Sequence, residues 1–293
     1  MSAEPGGARL FDLGYRSYEG ARERPARAMA TLAVFTARRV LGLGRGGRHK
    51  VLPAITLAIA YLPALVSVAF AVILEDLPVD DLISYGDYAF ITGSALALFT
   101  ALIAPEALCP DRRSGMLGLY LAGPLDRNRY LAAKGVAVFA VMLLITAGPL
   151  LFMFVAFTVA GHGPSAGETP GLLLRILASG GATALLYASL SMAVASFTTR
   201  RAAAAVATVL LLFVPVSVVR SAIESAGAPN ALDLLSFPFV VADLSYRIFG
   251  ETPDDASPVR ELSTGLVAGG VAAAIAAGIL VCWLRYRRLE AFR

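Results

Sequence analysis

Long apolar runs alternate with short polar and charged segments along most of the chain. Six runs stand out, at about 51–74, 88–108, 135–160, 176–197, 202–219 and 262–284. A bilayer-crossing helix needs about 20 mostly apolar residues at ~1.5 Å rise each, so six transmembrane helices are predicted. The third run is long enough to tilt or to end in an interfacial turn. The fifth is the shortest, and 216–220 could belong either to it or to the loop that follows.

Ahead of the first run the pattern changes. Residues before Pro25 are polar and rich in Gly and Pro, which predicts a cytoplasmic tail that meets a surface only through its aromatics. Pro25 suits the first turn of a helix. Met29, Leu32, Ala33, Thr36 and Val40 then recur at helical spacing, Arg38 and Arg39 favour the C-terminal dipole end, and Gly42 can stop the helix. This reads as an amphipathic helix in the inner membrane interface; a helix packed on its own chain is the alternative. The basic residues scattered through the first 50 positions, and the late start of the first apolar run, do not read as a signal peptide. The expected organisation is therefore a tail and amphipathic helix over 1–50 and a six-span domain over 51–293, with an all-α fold.

Composition agrees. Of 293 residues, 57% are hydrophobic and 16% charged, the balance of a polytopic membrane protein. A disulfide-rich module, a coiled coil and a simple nucleic-acid binder are excluded. Only Lys50 and Lys134 are lysine among 25 basic residues, a usage that fits a GC-rich bacterial genome.

Charge sets the expected orientation. With both termini inside, the inner segments carry 21 Lys and Arg against 8 Asp and Glu, and the outer ones 4 against 13. That bias predicts a plasma (inner) membrane protein with cytoplasmic termini. Cys109 and Cys282 then sit near cytoplasmic ends and are expected as reduced, apolar filler.

Two segments outside the runs are informative. The loop 105–134 holds a short half-apolar stretch between Pro110 and Pro124, with Met116, Leu117, Leu119, Tyr120 and Leu121 after a basic start. It is too short to span and suits a docking surface or an interfacial helix. Asp126 can cap the next helix. The last outer loop, about 220–261, reads as two short helices dipping into the outer leaflet. Asn230 and Asp233 resemble a capping pattern ahead of Leu232, Leu234, Leu235 and Phe237. Pro238 breaks the run and Phe239 restarts it. A small soluble cap is the alternative. In the sixth run Gly265, Gly269, Gly270, Ala273, Ala274, Ala277 and Gly278 would let helices approach closely.

Catalytic signatures are not found, and the spans speak against proton coupling more than against sodium coupling, which can use hydroxyls and carbonyls. No charge lies mid-span, and the hydroxyls there suit hydrogen bonds within or between helices. There is no HExxH and no histidine within the spans to serve Ser94 as a base. Two His and two Cys make no zinc site. The glycine-rich stretch 42–50 lacks the Lys-Ser/Thr ending of a phosphate loop and reads as a basic hinge near headgroups. Energy for transport would have to come from a partner.

In layout and in the loop 105–134 the chain resembles permease subunits of type-2 ATP-binding-cassette (ABC) transporters. Those carry an acidic residue, a basic residue with glycine, an apolar stretch and a Pro-x-x-Arg…Lys ending. Here these are Glu106, then Arg112 or Arg113 with Gly115, the run Met116–Leu121, then Pro124, Arg127 and Lys134. Met116 stands where Thr is common. The head 11–20 also resembles the tails of some bacterial permeases of this kind.

The resemblance implies that 111–122, from Asp111 through Leu117 and Tyr120 to Ala122, is a coupling helix seated on a separate cytoplasmic ATPase. It implies ATP and Mg on that partner and no cofactor on this chain, a dimer with a second copy or sister permease, and export. Leu232, Leu235, Phe237, Pro238 and Phe239 would form an outer gate. A self-contained carrier, a membrane-embedded enzyme and a non-transporting scaffold are the competing readings.

Overall fold

A computed structural model describes residues 24–44, 46–73, 84–122, 125–253 and 257–288. The polar tail 1–23, the acidic stretch Glu75 to Asp81 and Pro124 lie outside the described residues. In chain order the helices are α1 (Pro25–Val40), α2 (Arg48–Ile73), α3 (Asp87–Arg113), α4 (Met116–Ala122), α5 (Arg127–Val159), α6 (Thr169–Ala195) and α7 (Arg201–Ala226). A 3-10 turn (Asn230–Leu235), α8 (Phe237–Phe249) and α9 (Thr264–Arg287) complete the fold. No strand occurs among the described residues. The six long apolar helices α2, α3, α5, α6, α7 and α9 can each cross a membrane, so the fold is all-α and polytopic.

The spans are not equivalent. In their most apolar windows, α3, α5 and α6 are 61%, 50% and 44% buried, whereas α2, α7 and α9 are 28%, 22% and 22%. Three helices therefore form the centre and three stand around it. The centre packs through Leu96, Ala104, Leu108, Val138, Met142, Ile145, Ala184 and Tyr187. Small residues bring the backbones together. A Cβ on Gly180 would lie 2.8 Å from Ala147 Cα, and one on Gly278 would lie 2.8 Å from the Ser189 carbonyl carbon. These two glycines hold α6 against α5 and α9 against α6. Gly270 meets Leu234, but a Cβ on Gly265 or Gly269 would touch nothing, so only part of the small-residue run in α9 serves close approach.

Several boundaries depart from the sequence expectation. The second span does not stop before Pro110. α3 runs through Pro105 and Pro110 to Arg113, and Ser114 N donates to Pro110 O at 2.9 Å at its end. Proline is tolerated in a membrane helix where neighbours cover the freed carbonyl. Gly115, at φ 71°, then turns the chain into α4. α5 starts at Arg127, where Asp126 caps it by accepting from Arg129 N at 2.7 Å. α7 includes 216–220 and ends on Gly227 at φ 63°, with Ala228 N donating to Ala222 O.

Asn230 is no cap: Pro229 precedes the 3-10 turn, which has no side-chain cap bond. Pro238 opens α8 in its first turn, where a missing N–H costs nothing, and does not break it. The stripe of α1 read as membrane-facing packs on the protein itself, with Leu32, Thr36 and Val40 buried against α3 and α5. The packed-on-its-own-chain alternative holds for that stripe, and Val34 and Phe35 are the large apolar residues α1 leaves exposed.

The two ends of the bundle are tied differently. At one end Glu251 accepts from Ser84 Oγ at 2.6 Å and Gly86 N at 3.2 Å, Tyr246 donates to Asp87 at 2.7 Å, and Arg175 donates to Phe249 O. These bonds hold α8 across the tops of α3 and α6. The other end carries the charged hub described next.

Candidate functional site: a buried ionic hub beneath a short helix

The last turns of α3 carry two carboxylates, and each collects cations from other elements. Asp111 is nearly fully buried. Its Oδ2 takes Lys134 Nζ of α5 at 2.6 Å and the Tyr130 hydroxyl at 3.0 Å, and its Oδ1 takes Arg39 of α1 at 3.1 Å. Lys134 also stands 5.5 Å from the centroid of the Tyr130 ring. Glu106, one turn earlier, accepts from Arg39 Nε at 3.4 Å and from Arg201 of α7 at 2.5 Å. Arg112 reaches the other way and donates to the carbonyls of Ser196 and Thr198, between α6 and α7, at 2.6 and 3.3 Å. Three residues of α3 thus join α1, α5, α7 and the α6–α7 turn.

This geometry is a clamp. A buried carboxylate is stable as an ion only when its lone pairs are filled, and Asp111 has three donors on its two oxygens. The hub fixes one end of the bundle through directional bonds, so its helices move together there.

On this clamp sits α4. Gly115 is exposed, and α4 turns Met116 and Leu119 outward, at 38% and 68% exposure, while Leu117 is buried at 8%. Tyr120 is half-buried and packs on Tyr130 with ring centroids 5.8 Å apart. Leu121 packs against the core. The apolar stretch 116–121 is therefore divided: Leu117, Tyr120 and Leu121 anchor α4, and Met116 with Leu119 is what it presents. Asp111, Arg112 and Arg113 belong to the end of α3 and not to the short helix. Where α3 ends against the α6–α7 turn, a hollow is lined by Arg39, Arg113, Arg200 and Arg201.

The structure thus brings together Glu106, Asp111 and Lys134 within one network through Arg39, and sets Arg112, Arg113, Gly115, Met116, Leu117, Tyr120 and Leu121 next to it. Arg127 stands apart: its guanidinium donates to the Arg287 carbonyl of α9 at 2.9 Å. Sequence reasoning did not assign Arg39, Tyr130 and Arg201 to this site. Arg39 was visible only as a charge suited to a helix end; its 67- and 72-residue reaches to Glu106 and Asp111 leave no local pattern.

The outer set is at the opposite end. Leu232 and Leu235 are exposed on the 3-10 turn, Phe237 is buried, and Pro238 and Phe239 are half-buried, with Phe239 tilted on Phe90 at 6.2 Å. Asp233 lies buried among them. Its Oδ1 has no hydrogen-bond partner among the described residues, Arg220 stands 4.0 Å from its Oδ2, and burial raises its carboxyl above the ordinary value against that cation.

Among the described residues no group of His, Cys, Asp and Glu could hold a metal ion. Cys109 and Cys282 are buried free thiols, and Cys109 Sγ faces Thr198 O at 3.5 Å. Thr146 of α5 bonds backbone, donating to Gly180 O at 2.8 Å, and Ser179 of α6 pairs with Ser245 of α8 at 2.8 Å, whereas the buried Tyr187 and Tyr286 hydroxyls have no partner among the described residues.

A protein family described as ABC-2 family transporter protein matches residues 26–283. The match takes in α1 from its second residue, the six spans and the outer short helices, up to the last turn of α9. No curated protein matches the chain.

Proposed function

The chain belongs to the ABC-2 transporter family as a membrane permease-type subunit, and from that premise we propose that α4 is the part through which a separate cytoplasmic ABC ATPase drives it. ATP and Mg belong to that partner. The permease works as a dimer, with a second copy or a sister permease, in a bacterial plasma membrane with both termini inside, and exports its substrate. The division into an N-terminal amphipathic helix and a six-span pathway domain belongs to the same reading.

The observation that carries the proposal is the coupling of α4 to the hub. Leu117 and Tyr120 fix α4 to the ends of α3 and α5, the two most buried spans. Met116 and Leu119 project from it, and the arginine-lined hollow lies at the end of α3 that leads into it. A partner with an apolar groove and an acidic rim fits that surface. Closure of two ATPases would press on α4, and the hub would pass the push to α1, α5 and α7 as a rigid-body tilt. The short outer helices, with Leu232, Leu235, Phe237, Pro238 and Phe239, would part as the exit gate. The inside-positive charge balance supports the orientation.

The test is recovery of partners in mild detergent. Tagged protein is expected to bring down an ATPase with a Walker motif, and Met116→Asp with Leu119→Asp to lose it while the melting temperature stays unchanged. Both positions are exposed, so folding is not at stake, as it would be for Leu117→Arg. Retention of the ATPase by the double variant would overturn the role of α4. Intact protein that recovers no ATPase would favour a self-contained carrier or a scaffold.

A further inference from the structure

α5 and α9 both pack on α6 but scarcely touch each other. The gap between them is an apolar groove of about 440 Å³. Its floor is Ala188 and Met192 of α6, and its walls include Gly135 and Phe139 of α5 and Ile279 of α9. Val136 and Ile279, at 59% and 55% exposure, mark its open side along the bundle surface. From Asn128 to Phe139 it follows α5 for about 16 Å at the helical rise.

The groove does not end in apolar surface. Asn128 and Trp283 line both it and a polar hollow formed with Asp126, Arg127 and Arg287. Trp283 Nε1 donates to Asn128 Oδ1 at 3.1 Å, and the Arg287 guanidinium lies 4.6 Å over the indole ring. Arg127 is oriented by its bond to the Arg287 carbonyl. Asp126 spends its charge on the α5 cap and on Arg129, 3.7 Å away. An acyl-length apolar slot thus opens into two guanidinium groups, with a tryptophan at the boundary where such rings meet headgroups.

We propose that this groove is a binding site for an anionic phospholipid of the surrounding leaflet, one acyl chain lying on α6 between α5 and α9 and the phosphate at Arg127 and Arg287. A helix of a second copy would fill the apolar part but leave both arginines without counter-charge. A zwitterionic lipid would fill the slot and gain less at its mouth. The site rests on membrane embedding alone, and not on the coupling role of α4.

Trp283 is the only tryptophan of the chain, so it reports on this site directly. The full chain is reconstituted in phosphatidylcholine vesicles containing either phosphatidylglycerol or phosphatidylcholine brominated near the glycerol end of one chain. Brominated phosphatidylglycerol is expected to quench Trp283 as if enriched about fivefold over its share of the bilayer, the gain of about one guanidinium near a charged surface. Arg127→Gln with Arg287→Gln should bring quenching down to the phosphatidylcholine level, and Gly135→Leu should reduce quenching by both lipids. Inorganic phosphate should leave the preference unchanged. Equal quenching by the two lipids, no quenching by either because another copy covers the groove, or loss of the preference to inorganic phosphate would each overturn the proposal. No ATPase is present, so failure here is distinct from failure of the coupling test.

Discussion

Lys134 has no route to water and one carboxylate to balance it, with both side chains 2–3% exposed. Removing one member of such a pair leaves the other charge buried, which costs about 3–5 kcal/mol, whereas replacing both with apolar residues of similar size is often neutral or better. Asp111→Leu, which strands Lys134, is therefore expected to lower the melting temperature in detergent sharply, and adding Lys134→Met to recover most of the loss. Recovery will be incomplete, because the buried Tyr130 hydroxyl loses its acceptor and Arg39 keeps only Glu106. At this scale the sequence was informative about which charges exist and blind to how they meet. Glu106, Asp111 and Lys134 were visible as charges flanking apolar runs. That Arg39 bridges both carboxylates depends on where α1 folds back, and no spacing in the chain encodes that.

At the level of elements, apolar length carried the six spans, and the misreadings cluster at proline and glycine. In the sequence Pro110 brackets the loop after the second span; inside the bundle its missing N–H is no obstacle, and α3 continues to Arg113. Pro238 interrupts the apolar run in the sequence, yet in the structure it opens α8. The glycines of α9 looked alike in sequence, yet only some face a neighbour. Gly278→Val would drive its side chain into the Ser189 backbone, an overpacking that costs about 1–3 kcal/mol. Gly269→Ala meets nothing and should leave the melting temperature unchanged or slightly raised. Equal effects of the two substitutions would show that the α6–α9 contact is not held by Gly278. The division of 116–121 was likewise hidden, since a seven-residue helix offers too few turns for its apolar stripe to name a side.

For the molecule as a whole, the difference between centre and periphery matters before the protein is ever assembled. The two spans with the weakest apolar windows, α3 and α6, are among the three that the others enclose, while the thinly covered α2, α7 and α9 are strongly apolar. A chain emerging from the ribosome meets the bilayer one span at a time, and α3 and α6 then have little lipid affinity of their own. Each follows a strongly apolar span, α2 or α5, and can enter as the second arm of a hairpin already anchored by the first. In a cell-free insertion assay with a glycosylation reporter, α3 alone is expected to insert poorly and α2–α3 together well; equal insertion of the two would remove the dependence. The burial that makes α3 the axis of the hub thus makes it a dependent guest during biogenesis, and a lesion in α2 should be felt first as a failure of its neighbour to enter the membrane.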